Sequence, residues 1–188
     1  MTTTATTTGA TEPSTDNLAT KTASLRRMYF ARFGFAIVWA VAFAIASSSV
    51  GTAALVLAVL YPVFDLACVA IDARSGTPAS RPTALYLNVA LSLGAAIALG
   101  IVGSDAEGLL VVWGIWAVTA GLAQLAVGVA RRTLGGQLPM ILSGGISVLA
   151  GGSFIAMAPD ATSVRSIAGY ATLGGIFFLV SALRLGRR

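Results

Sequence analysis

Residues 138–188 read LPMILSGGISVLAGGSFIAMAPDATSVRSIAGYATLGGIFFLVSALRLGRR, and this pattern decides the fold. Two uncharged apolar runs, 138–158 and 166–183, flank the turn residues Pro159, Asp160 and Ala161, and Arg184, Arg187 and Arg188 close the stretch. At ~1.5 Å per residue, each run crosses most or all of a ~30 Å hydrocarbon layer. Together they predict a transmembrane hairpin.

Four earlier runs, 28–47, 50–71, 83–103 and 108–130, have the same character. The chain therefore predicts an all-α integral membrane protein, with six transmembrane helices in three two-helix units over residues 28–188. Composition agrees: 56% of the 188 residues are hydrophobic and only 10% are charged, against about 25% charged in a soluble domain. Residues 1–27 are expected to form a disordered cytoplasmic tail, since the Thr-, Ala- and Ser-rich part of it buries too little surface to offset ordering entropy. Ala44-Ile45-Ala46 resembles a signal-peptide cleavage site, but the leader before the first run and the pairing of the runs favour a retained helix. A shift of 55 residues lays Ser92 on Ser147, Ala95 on Ala150, Asp105 on Asp160 and Gly114 on Gly169. A shift of about 57 lays Gly51 on Gly108 and Arg74 on Arg131.

Charge sets the orientation. Of the 12 basic residues, all but Arg165 fall at one end of the predicted helices: Lys21, Arg26, Arg27, Arg32, Arg74, Arg81, Arg131, Arg132, Arg184, Arg187 and Arg188. The positive-inside rule then places both termini in the cytoplasm, and Asp105, Glu107 and Asp160 outside. The net charge of +5 reports this topology rather than nucleic-acid binding. Cys68 lies in an apolar run as a small core residue, and there is no histidine. No phosphate-binding loop, nucleophile beside a base or metal-ligand spacing occurs, so no enzyme, cofactor or metal is expected.

Small residues recur every four positions in three helices: Ala36, Ala40, Ala44 and Ser48; Ala90, Gly94 and Ala98; Ser143, Ser147 and Gly151. Such faces let helix backbones approach closely, which makes the odd-numbered helices the expected packing elements. Trp113 and Trp116, with Tyr29 and Tyr86, fit an interfacial aromatic belt.

One constellation stands out chemically. Asp65 is the only charged residue between Phe33 and Ile71, about seven residues inside the cytoplasmic end of its helix. An ionised carboxylate at that depth is costly unless paired. Pro62, one turn earlier, is the expected helix kink. Arg32 enters the membrane at a matching depth, and Asn88, Gln124 and Ser143 lie at similar levels. Asp65, Arg32, Asn88, Gln124 and Ser143 form the candidate intramembrane polar site. A satisfied structural network is the favoured reading, with a proton or cation site at Asp65 as the alternative.

The segment 134–151, LGGQLPMILSGGISVLAG, resembles the repeat unit of the HdeD-like acid-resistance membrane protein family, in which Ser-Gly-Gly-Ile helix starts and polar turns recur as paired units. The match is best over 140–183, fair over 86–132 and loose in the first hairpin. The resemblance implies a non-enzymatic, multi-pass bacterial inner-membrane protein acting in acid or envelope stress. The lipid bilayer is its expected surrounding, and a second copy or another membrane protein its candidate partner. The alternative is a small proton- or cation-coupled transporter or channel using Asp65.

Overall fold

The computed structural model describes residues 15–74, 82–130 and 138–185, with no strand among them. Six helices follow in order: α1 Thr15–Ala46, α2 Thr52–Arg74, α3 Pro82–Val102, α4 Ala106–Ala130, α5 Leu138–Met157 and α6 Ser166–Leu185, with a 3-10 turn at Ala158–Asp160 after α5. Five are long and apolar enough to cross a membrane, while the described apolar part of α3, Tyr86–Val102, is shorter. A helix pairs its own backbone N–H and C=O groups, the main requirement for a segment surrounded by lipid.

α1 begins at Thr15, not at residue 28, so part of the expected tail is helical. Once a long apolar helix exists, each added residue propagates it without a new nucleation cost, and Leu18, Ala19, Lys21 and Ala23 are good helix formers. Residues 1–14 and the basic residues Arg81, Arg131, Arg132, Arg187 and Arg188 lie outside the described residues.

The short turns have local causes. Gly103 ends α3 at φ +65°, the left-handed position that favours glycine. Two residues later Asp105 caps α4, its Oδ2 accepting from the Gly108 N–H at 2.6 Å. A Cβ on Gly108 would fall 2.8 Å from that of Val102, so this glycine lets the chain turn back tightly.

Consecutive helices touch and α6 returns to α1, forming a closed ring. The closest pairings are α4 with α5, α1 with α6 and α2 with α3; the pairs joined by the short turns, α1–α2, α3–α4 and α5–α6, pack less closely. The α4–α5 seam is built on glycine. A Cβ on Gly121 would lie 2.7 Å from the Gly144 carbonyl oxygen, and one on Gly114 would lie 2.7 Å from that of Gly151. Gly114, Gly121 and Gly128 on α4, like Gly144 and Gly151 on α5, repeat every seven residues, the spacing of a left-handed helix pair. In the α1–α6 pair, Ala36 faces Gly175, with a Cβ on the glycine 3.1 Å from that of the alanine.

The predicted small-residue faces are thus partly corrected. Ala36 and Ala40 are buried, and Ser147 and Gly151 pack with Gly144 rather than Ser143. Ala90 and Gly94 are exposed, and Gly94 has open space around it, so α3 does not use that face inside the bundle. The tightest seam joins an even- to an odd-numbered helix.

Replacing Gly121 by Ala should force the α4–α5 backbones apart and lower stability by about 1–3 kcal/mol. Gly145→Ala, which meets nothing within 4 Å, should be neutral or gain up to ~1 kcal/mol from helix propensity. Denaturant titration of both variants in the same detergent checks the contrast.

Candidate functional site

The interior has two levels. In the half nearer the short turns lies an aromatic cluster contributed by five helices. Trp39 stacks on Phe43 (centroids 4.6 Å apart) and on Trp113 (5.5 Å), and Tyr61 meets Trp113 and Trp116 edge-on at 5.4 and 6.1 Å. Tyr170 packs edge-on against Trp113 and Phe154. Trp113 is 0% exposed. The expectation of an interfacial belt is therefore overturned for this residue, and half-buried Trp116 joins the same cluster. Sequence depth alone placed both rings near the membrane surface, but packing turned Trp113 inward, where its area fills the space between helices. Among the described residues the buried indole N–H groups of Trp113 and Trp116 have no hydrogen-bond partner, and the two rings meet edge to face at 5.2 Å.

Trp39 differs, since its Nε1–H donates to the Leu57 carbonyl at 2.7 Å. Pro62 lacks the N–H that the Ala58 carbonyl would accept, so the Trp39 bond braces α2 from α1 beside its weakened turn. α2 runs unbroken through Pro62, whose ring is fully buried.

The second level lies toward the other end. Arg32 of α1 and Asp65 of α2 form an ion pair, Nη2 to Oδ1 at 3.3 Å, with side chains 16% and 20% exposed. Ser92 of α3, itself fully buried, donates from Oγ to Asp65 Oδ2 at 2.9 Å. Each carboxylate oxygen thus has one partner, from a different helix. The Arg32 guanidinium carbon sits 5.2 Å from the centroid of Phe178 on α6, a cation–π contact. Phe35 and Phe64 stack at 3.6 Å nearby. Arg32, Phe35, Tyr61, Phe64, Asp65 and Phe178 line a small cavity with room for about one water molecule. Among the described residues the buried Arg32 Nε–H has no partner.

No family model, no curated protein and no solved structure matches this chain.

Of the five side chains expected to form a polar layer, the structure brings together two, Arg32 and Asp65. Asn88 is half-buried on α3, one turn from Ser92, while Gln124 and Ser143 are half-buried on α4 and α5. Among the described residues none of the three bonds to the ion pair. At the level of Gln124 and Ser143, the seam is occupied by backbone from Gly121 and Gly144, which leaves no polar cluster to join. The buried serine of α5 is instead Ser147, which accepts from the Tyr170 hydroxyl at 3.0 Å.

Ser92 escaped the sequence-based site although the signal was present. Asp65 lies nine residues before the end of α2 at Arg74, and Ser92 ten after the start of α3 at Pro82, so the two share a depth on adjacent helices. Chemically the site is a compensated charge. No group of three His, Cys, Asp or Glu side chains that could hold a metal occurs among the described residues.

Removing one partner of this pair strands the other charge in a poorly solvated place, so Arg32→Met or Asp65→Leu alone should cost on the order of 3 kcal/mol. The double variant Arg32→Met/Asp65→Leu should recover most of that loss, because a packed apolar pair carries no desolvation penalty. A double-mutant cycle read by denaturant unfolding, with tryptophan fluorescence as reporter, checks the coupling.

Proposed function

We propose that this chain is a non-enzymatic, multi-pass protein of the bacterial inner membrane, acting as a packed helical bundle in resistance to acid or envelope stress. The observation that carries the bundle reading is the closure of Asp65, whose two oxygens are engaged by Arg32 and Ser92. An acid held this way ties three helices together. The stress role rests on the resemblance of 134–151 to the HdeD-like repeat unit.

Burial along the helices supports three related two-helix units. Leu110, Trp113, Gly114, Ala117, Gly121 and Gly128 of α4 are buried, as are Val164, Ile167, Ala168, Ala171, Gly175 and Ala182, each 54 positions later. Ala36, Trp39 and Phe43 on α1 have the same relation to buried Ser92, Ala95 and Leu99 on α3, 56 positions on. Aligned by burial, Gly114 falls on Ala168 rather than on exposed Gly169. The three close pairings then meet at one level through Asp65–Ser92, Gly121–Ser147 and Gly175–Ala36. In that alignment Asp65 occupies the place that glycine fills in the other two units.

The same reading places both termini in the cytoplasm. Arg26 at the start of the apolar part of α1 and Arg184 in the last turn of α6 are exposed on the side away from the short turns, where Arg27 also falls, whereas those turns carry Asp105, Asp160 and the single cation Arg165.

The cavity beside Asp65 and its residual exposure are what favour the alternative, a small proton- or cation-coupled carrier. Deleting the gene should reduce survival at acid pH, and a plasmid copy should restore it. Proton and monovalent-cation flux into liposomes holding wild-type protein should equal that of Asp65→Asn liposomes. A flux present in wild type and lost in the variant would replace the bundle reading with the carrier.

A further inference from the structure

The charges at the end of the bundle away from the short turns divide into two kinds. Arg32 is committed to Asp65. Arg26 and Arg27 on α1 and Arg184 in the last turn of α6 are exposed, and among the described residues none of them has a carboxylate partner. Their level is fixed by the α1–α6 packing: Phe178 stacks on Tyr29 at 6.1 Å and lies under Arg32. Six residues beyond Phe178 on antiparallel α6, Arg184 comes level with residues 23–26 of α1. The described apolar stretch of α1 starts at Arg26, and the membrane reading puts this level at the boundary, where lipid phosphates lie. Arg26 also holds its guanidinium 5.6 Å from the centroid of Phe30, a half-exposed ring at the same boundary. Before it, residues 15–25 carry α1 ~16 Å further from the apolar span.

We propose that the boundary end of the α1–α6 pair binds the headgroup of an anionic phospholipid, with Arg26, Arg27 and Arg184 supplying the charge. The inference rests on the membrane reading above. Among the described residues these three guanidiniums have no carboxylate counter-charge, and the phosphodiester of a lipid is an anion that reaches this level. Arginine suits it, because its planar fork makes two parallel hydrogen bonds to phosphate oxygens. The site joins the first and last helices, so an occupied headgroup stabilises the seam that closes the ring.

The full chain is reconstituted in vesicles of phosphatidylcholine alone and of phosphatidylcholine with one-third phosphatidylglycerol or cardiolipin, and its thermal unfolding is followed. Anionic lipid should raise Tm by roughly 2–4 °C per engaged arginine, and most of the gain should vanish in 0.5 M salt. Arg26→Gln/Arg27→Gln/Arg184→Gln should match wild type in phosphatidylcholine and lose the gain, while the corresponding triple Lys variant should keep about half of it. Equal gains from neutral and anionic lipid, or a Gln variant that keeps the gain, would overturn the proposal. Protease protection of the reconstituted chain separates the failures: a chain that does not span the vesicle sinks the membrane reading as well, whereas one that spans without anionic preference sinks this inference alone.

Discussion

Helices in a bilayer gain little from hiding apolar surface, because lipid tails are as apolar as the residues they would leave. They hold together through closeness, and the atom that limits closeness is Cβ. The α4–α5 seam removes that atom at Gly114, Gly121, Gly144 and Gly151, and the two backbones come into contact. The α1–α6 pair keeps a weaker form of the same arrangement at Ala36 and Gly175. In the α2–α3 pair the Asp65 carboxylate accepts a hydrogen bond from Ser92 instead. A carboxylate buried between these helices costs free energy unless paired, and Arg32 supplies that compensation.

That compensation uses arginine in more than one capacity. The guanidinium pairs with the carboxylate on one side and lies over the ring of Phe178 on another, so a single side chain of α1 engages both α2 and α6. An ammonium would supply the charge without the flat surface. The aromatic level acts differently, filling the space between five helices with rings and leaving two indole N–H groups without acceptors among the described residues. One level of the core is thus organised by charge, the other by shape.

Much of this was legible in the residues. The apolar runs gave the number of helices and nearly all of their bounds, because lipid demands long unbroken segments and the sequence supplies few polar interruptions. Depth counting paired Arg32 with Asp65. It failed for Trp113, since distance along a helix says how far a residue lies from the membrane surface but not which way its side chain faces. The same blindness to rotation put Ser143 in the site instead of Ser147, and Ala90 and Gly94 on a packing face. The helical start at Thr15 was missed because composition measures what a segment can bury alone, not what an adjoining helix propagates through it.

The order of the pairings has a consequence for how the chain is assembled. Neighbours along the sequence pack loosely across the short turns, and the closest partners are reached only after a further helix has entered the membrane. α1 waits longest, because its close partner is α6, and Ala36 meets Gly175 only once α6 has been made. Until then Arg32 has Asp65 but lacks Phe178, and the first helix presents its alanine face to lipid. Synthesis from one end therefore leaves an open arc that the last segment must shut, and a chain stopped before α6 would have two unmatched edges rather than a smaller version of the same fold.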